Sequence, residues 1–379
     1  MFTFDLRTTV VFGDGVAGQC GEAVRRAGGR RVLVVTDPGV LAAGVPRPVL
    51  ESLGADGLPY RVFSEVEPNP TVVDVERAVQ AARDFGADAV VGVGGGSAMD
   101  VAKAVGILLG NPGGIADYDG MDKVPRPGAP VVCLPTTAGT AAEVTIFANY
   151  SDRERDYKFS VGGRHVAARV ALVDPLLTLG LPPAVTAATG TDAFTHALES
   201  YVARSANPVS ELLALRALAL IVGHLERAVA DGRDLEARRQ MLLGSLMAGM
   251  AFIHTRLGLV HALAMPIGGV APRVAHGVIC GVLLPPVVAY NGPAAVERYA
   301  AVADLFGLGG SAATRTARLA DAIREWLGRL GIPARLADIG VERSRFAAVA
   351  DQAMASGNIP VNPRAADHAD LVAILEAVA

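Results

Sequence analysis

The sequence predicts an α/β domain built on a parallel sheet, followed by an all-α domain. Three observations carry this. Across residues 1–178, short Val-rich runs alternate with amphipathic stretches of helical length, the pattern of a parallel sheet covered on both faces. Across residues 179–379, strand patterns are almost absent and the chain is rich in Ala, Leu and Arg. The 379 residues are 51% hydrophobic and 19% charged, enough apolar surface for two cores, which excludes a disordered chain.

In order, the strand-like runs are Arg31–Thr36, Tyr60–Phe63, Ala87–Val93, Pro130–Leu134 and Val170–Val173. Helical patterns fall between them at Val16–Arg26, Val72–Phe85 and Ala98–Leu109. The stretch Leu176–Pro183 (LLTLGLPP) marks the boundary, with its glycine and two prolines. Beyond it, Arg239–Met265 reads as one helix that would place His254, His261 and Met265 on one face.

A formal charge of −4 gives no basic field for nucleic acid. Cys20, Cys133 and Cys280 have no CxxC spacing and make no disulfide framework. The N-terminus MFTFDLRTTV has no apolar signal region, and the most apolar window, Leu257–Pro272, is too short to span a membrane. A cytoplasmic protein is expected, with neither nucleic acid nor membrane as partner. Lysine occurs only at 103, 123 and 158 among 34 basic residues, so each is a candidate for a place needing a compact charge.

Two groups of residues suggest chemistry. The run Val91–Asp100 (VGVGGGSAMD) follows a strand and opens a helix, so its glycines and the helix N-terminus could take a pyrophosphate. Pro135–Thr145 (PTTAGTAAEVT) gathers hydroxyls where a strand end would meet a ligand. Asp37, ending the Arg31–Thr36 strand, reads either as acceptor for a ribose diol or as a helix cap. In the second half, Asp192 and His196 stand four apart on a helical pattern, with His261 and His276 in apolar sequence downstream. One carboxylate and three imidazoles suit a divalent metal, Fe²⁺ or Zn²⁺.

These motifs together resemble the group III, or iron-dependent, alcohol dehydrogenase family. The likeness runs through Asn69-Pro70, Gly94–Lys103, Pro135–Thr140, Glu143–Thr145, Lys158, Asp174-Pro175, Gly190–Tyr201, Ala206–Pro208, His261, His276-Gly277 and Asn362–Arg364. It implies a Rossmann-like domain joined to a helical domain, the fold shared with dehydroquinate synthase. It also implies NAD(H), one divalent metal with Fe²⁺ ahead of Zn²⁺, a small alcohol or aldehyde substrate, and a homo-oligomer, a dimer. Asp192, His196, His261 and His276 match the metal ligands. Gly95, Gly96 and Ser97 match the pyrophosphate turn, and Thr136, Thr137 and Thr145 the cofactor wall. Asp37 matches the NAD selector and Lys158 a cofactor-contacting lysine; Asn69, Asp100 and Thr140 are grouped with the cofactor residues.

This chain departs from the family in three places. Ala141-Ala142 stands where Gly-Ser is usual, His165–Val170 lacks the usual proline, and Met265 occupies the position of a usual histidine four residues after the third ligand. Since Met265 holds no proton, His254 or water is the expected relay. The expected activity is oxidoreduction between an alcohol and its aldehyde or ketone, including reduction of an anionic aldehyde that Arg256 or Arg273 could meet. A lyase or cyclase of the dehydroquinate synthase type, a maleylacetate reductase-like enzyme and a binding protein without turnover are the alternatives.

Overall fold

The computed structural model describes residues 1–155 and 157–379. They form two compact units, Asp5–Leu179 and Met1–Phe4 with Gly180–Ala379. Met1–Phe4, placed in the first domain on sequence, thus group with the second unit.

The first unit carries β1 (Thr9–Phe12), β2 (Val32–Val35), β3 (Tyr60–Phe63), β4 (Ala89–Gly94), β5 (Gly120–Met121), β6 (Val131–Pro135), β7 (Phe147–Asp152), β8 (Tyr157–Gly162) and β9 (Val170–Val173). Its helices are α1 (Cys20–Arg26), α2 (Pro38–Ala42), α3 (Arg47–Ala55), α4 (Val72–Phe85) and α5 (Gly96–Gly110). Six strands form a parallel sheet in the order β1-β9-β6-β4-β2-β3. The period-2 rule is visible in β2, where Val32 and Val34 enter one apolar cluster and Leu33 and Val35 the other. Both faces are therefore covered, which is why β2 and β4 have no polar side. Helix α4 begins at a Thr71–Asp74 capping box and stops at Gly86, whose φ of 70° favours glycine.

Four strands were not foreseen. β1 is a four-residue edge strand and β5 only two residues long. The antiparallel pair β7–β8 mixes polar and apolar residues, so its sequence gives no clear strand pattern. The short helices α2 and α3 were missed as well.

The second unit is helical: α6 (Pro183–Val202), α7 (Pro208–Ala230), α8 (Leu235–Thr255), α9 (Leu259–Val270), α10 (His276–Asn291), α11 (Val296–Leu305), α12 (Ala312–Arg329), α13 (Phe346–Met354) and α14 (His368–Glu376). A Cβ on Gly190 would lie 2.3 Å from Leu225, so α6 and α7 approach closely there. By length and composition alone, α7 and the stretch His276–Ala294 could cross a membrane. In the structure α7 packs on α6 and α8, and α10 on α6, α9 and α12, which gives their apolar residues an interior to fill.

The single helix expected over Arg239–Met265 is instead two, α8 and α9, meeting at a bend of 100°. The chain breaks at Arg256, with φ 61°, and Gly258. A Cβ on Gly258 would lie 2.8 Å from Glu199 Oε1, so the turn presses directly on that carboxylate. His254 and His261 consequently share no helix face.

Candidate functional site

In the first unit, β3 lies on one side of β2 and β4 on the other, so the strand order reverses between β2 and β4. Crevices at such reversals, at the carboxyl ends of strands, are the usual ligand positions in open parallel sheets. The register pairs Val35 with Gly92 and Gly94 with Pro135, and Thr136 N–H donates to Gly94 carbonyl at 3.0 Å. The segments following β2, β4 and β6 thus bring Asp37, Gly95-Gly96-Ser97 and Thr136-Thr137 to one rim.

The turn after β4 needs its glycines for space. A Cβ on Gly94 would sit 2.6 Å from the Ala98 methyl, and one on Gly96 2.9 Å from Thr140 Cγ2. Helix α5 has Gly95 as its N-cap and no side-chain cap among the described residues, leaving its first N–H groups and dipole to an anion. Thr136 Oγ1 is buried and has no partner among the described residues. These features fit a dinucleotide. Asp37 Oδ1 caps α2 by accepting from Val40 N–H at 2.9 Å, and its Oδ2 lies 3.4 Å from where a Gly94 Cβ would be, beside the glycine turn.

Other cofactor candidates are engaged within the fold. Lys103 is buried and donates to Thr145 carbonyl at 3.0 Å, Thr145 Oγ1 at 3.1 Å and Phe147 carbonyl at 2.8 Å. Three acceptors around one ammonium suit lysine and not the planar guanidinium fork. Burial lowers the Lys103 pKa. Asp100 accepts from Asn149 N–H at 2.9 Å, and burial raises its carboxyl to about 6. Glu143, unmarked by sequence reasoning as a titrating group, is raised to about 7 by burial, and its Oε1 has no partner among the described residues. Lys158 donates to Asn69 Oδ1 at 3.2 Å; Asn69 itself has φ 55°. Ala141 has φ 51°, which explains why glycine suits that position.

In the second unit, Asp192 Oδ1 lies 3.8 Å from His196 Nε2, 3.6 Å from His261 Nε2 and 3.9 Å from His276 Nε2. The helical i, i+4 spacing aligns Asp192 with His196 on α6, and α9 and α10 deliver the other two. Gly277 makes the close approach possible: a Cβ there would lie 1.9 Å from Ala188 carbonyl and 3.1 Å from Asp192 Cβ. All but His276 are buried. Burial alone would raise the Asp192 carboxyl, but His196, His276 and His261 hold it well below the usual range.

Three residues of this cluster, Glu199, Asn362 and Cys280, were not marked as site residues on sequence. Glu199 Oε2 accepts from His261 Nδ1 at 2.7 Å, and its Oε1 accepts from Val260 N–H at 2.7 Å. With Nδ1 held by Glu199, Nε2 is the ring nitrogen that faces Asp192 and the one that would ligate an ion on losing its proton. Asn362 closes the same corner, paired with Asn291 at 2.7 and 3.0 Å. Cys280, one turn after His276, places Sγ 3.8 Å from Asp192 Oδ1, 3.9 Å from His261 Nε2 and 3.6 Å from His276 Nε2. Burial pushes its thiol up to about 11. Burial works against a charge on His261, yet Cys280, Asp192 and Glu199 hold its ring well above the usual histidine value.

The remaining candidates lie elsewhere in this unit. The His254 ring lies beside Phe4, tilted by 30°, at 4.0 Å between centroids. Met265 is half-buried on α9; Arg256 and Arg273 are exposed, and a Cβ on Gly357 would lie 2.2 Å from Arg256 Nη1.

Comparison with known proteins gives the same picture along the whole chain. Residues 7–175 match the family model described as iron-containing alcohol dehydrogenase, and residues 186–379 that of the Fe-containing alcohol dehydrogenase family, C-terminal. The chain is 36% identical over 376 residues to sulfoacetaldehyde reductase of Bilophila wadsworthia, covering 97% of this chain and 96% of that one. A crystal structure of 1,3-propanediol oxidoreductase superposes with a TM-score of 0.96 at 37% identity, covering all of both chains. The NAD⁺ complex of a sulfoacetaldehyde reductase from Bifidobacterium kashiwanohense gives 0.90 at 30% identity, covering 100% of this chain and 98% of that one.

Proposed function

The chain belongs to the iron-containing alcohol dehydrogenase family, and from that premise we propose that it is a metal-dependent, NAD(H)-linked oxidoreductase interconverting a small alcohol with its aldehyde or ketone. The convergence of three histidine Nε2 atoms on Asp192 Oδ1, at 3.6 to 3.9 Å, carries this reading. The chemistry supplied by the bound groups is Lewis-acid polarisation of an alcohol or carbonyl oxygen, from the metal, and hydride exchange at the neighbouring carbon, from the nicotinamide.

The protein's own residues do the holding and orienting. Asp192, His196, His261 and His276 hold one divalent ion, iron by family and zinc by the same donor chemistry. Glu199 fixes the His261 ring and its tautomer. The α5 N-terminus with Gly95, Gly96 and Ser97 takes the pyrophosphate, and Thr136, Thr137 and Thr140 line the same rim. Asp37 accepts from a ribose diol and repels a 2′-phosphate. Asn69 and Lys158 offer an amide and an ammonium to the cofactor from a shared hydrogen bond. Met265 carries no proton, and the break after α8 removes the helix face on which His254 was to act, so water takes the hydroxyl proton outward.

A narrower form of the proposal is reduction of an anionic aldehyde. Arg273, exposed three residues before His276, supports it, as does the likeness to sulfoacetaldehyde reductases. The test is NADH oxidation against a panel of neutral and anionic aldehydes, using chelator-treated protein reloaded with Fe²⁺ or Zn²⁺. The expected result is stoichiometric NADH loss that His261→Ala abolishes together with bound metal. Product without net NADH change would mean a lyase, and binding without turnover would refute the enzyme reading.

A further inference from the structure

Cys280 stands where a metal ligand would stand. His276 and Cys280 are i and i+4 on α10 and therefore project from one face. On the next positions around that helix, Gly277 and Gly281 close against α6: added Cβ atoms would meet Ala188 carbonyl at 1.9 Å and Thr191 Cγ2 at 3.1 Å. This contact delivers the sulfur into the donor cluster. One donor atom from each of Asp192, His261, His276 and Cys280 lies within 4.8 Å of every other.

The spacing fits a coordination shell. With zinc–sulfur distances of ~2.3 Å and zinc–nitrogen or zinc–oxygen distances of ~2.0–2.1 Å, a tetrahedron has sulfur–nitrogen edges of roughly 3.6 Å and nitrogen–oxygen edges of roughly 3.4 Å. The sulfur edges here are 3.6, 3.8 and 3.9 Å, and the nitrogen–oxygen edges 3.6 and 3.9 Å. A contraction of a few tenths of an ångström would close the cluster on an ion. The sulfur is fully buried, so no bulk solvent competes for it.

We propose that Cys280 is a ligand of the metal, and that its thiolate biases the site toward Zn²⁺ over Fe²⁺. The inference rests on the metal-dependent reading above and revises its ligand set: in the tetrahedron of Asp192, His261, His276 and Cys280, the sulfur takes the place given there to His196. As the sulfur–metal bond forms, the Cys280 S–H proton passes to solvent. Soft thiolate favours zinc where carboxylate and imidazole alone discriminate little. A thiol that merely filled space would leave the ion's choice to Asp192 and the histidines.

Cobalt(II) reports on the sulfur directly. Chelator-treated wild type and Cys280→Ala are each reloaded with one equivalent of Co²⁺ and their absorption spectra recorded. Wild type is expected to show visible ligand-field bands together with near-ultraviolet thiolate-to-cobalt charge transfer; Cys280→Ala keeps the first and loses the second. In competition, the variant's preference for Zn²⁺ over Fe²⁺ should fall by at least ~10-fold, the lower end of what losing even an outer partner of a ligand costs. Ligand-field bands without charge transfer in wild type would overturn the Cys280 assignment and leave the metal reading standing. No stoichiometric cobalt in either protein would overturn both. Cys280→Ser, nearer in volume, serves if the alanine protein does not fold.

Discussion

Replacing Glu199 by Gln should weaken metal binding although Glu199 is not itself among the proposed ligands. The carboxylate accepts two hydrogen bonds of 2.7 Å, from His261 Nδ1 and from Val260 N–H, in a corner only 5% exposed. Glutamine retains a single acceptor oxygen. If that oxygen stays on Val260 N–H, the amide N–H₂ faces His261 Nδ1 and favours the opposite tautomer, putting a proton on the nitrogen that should ligate. If it turns to His261, the N–H of Val260 at the start of α9 loses its acceptor and the helix dipole its anion. Either way one charge-assisted hydrogen bond is lost, worth about 1.5–3 kcal/mol. Converted at ~1.4 kcal/mol per decade, that is roughly a 10–100-fold loss of affinity. The assay is Zn²⁺ competition against a chromophoric chelator, with melting of the chelator-treated proteins recorded beside it. Affinities within about threefold of each other, in two proteins with matching melts, would refute the orienting role.

Three other perturbations test the first unit. Asp37→Asn keeps the oxygen that caps α2 but removes the charge, so kcat/KM for NADPH relative to NADH should rise by roughly tenfold, while a wild type that already prefers NADPH would contradict the selector role. Glu143, raised from 4.5 to about 7 by burial, holds its proton more tightly when folded. Its stabilising contribution is present below the unfolded pKa and lost as pH rises through about 7, a change on the order of 3 kcal/mol. Glu143→Gln should therefore gain on wild type between pH 5 and pH 8 in urea melts, and parallel profiles would count against it. Ala141→Gly relieves a φ of 51° and should stabilise by about 0.5–1 kcal/mol once glycine's extra unfolded-state entropy is deducted; a lower denaturation midpoint would contradict this.

Much of this protein is written locally. Runs such as VLVV and AVVGVG admit only a strand buried on both sides, and the Thr71–Asp74 box with Gly86 delimits α4 without help from distant residues. The Asp-x-x-x-His spacing puts two donors on one turn of α6, and the lysine count pointed to Lys103, whose ammonium meets three oxygens. Other features depend on which surfaces pack together. Asp37 follows a strand in the sequence, and only the strand order, with β2 and β4 side by side, puts it beside the glycine turn. The helix pattern through Arg239–Met265 is uninterrupted in periodicity, yet the chain turns by 100° because Gly258 must pass against Glu199. Glu199 reaches His261 across 62 positions and Cys280 reaches Asp192 across 88. Periodicity reports which face a side chain occupies and says nothing about what that face will meet. That is decided by close packing, here by the absence of a Cβ at Gly277, which lets α10 close on α6 and turns a buried cysteine into a neighbour of three of the proposed metal ligands.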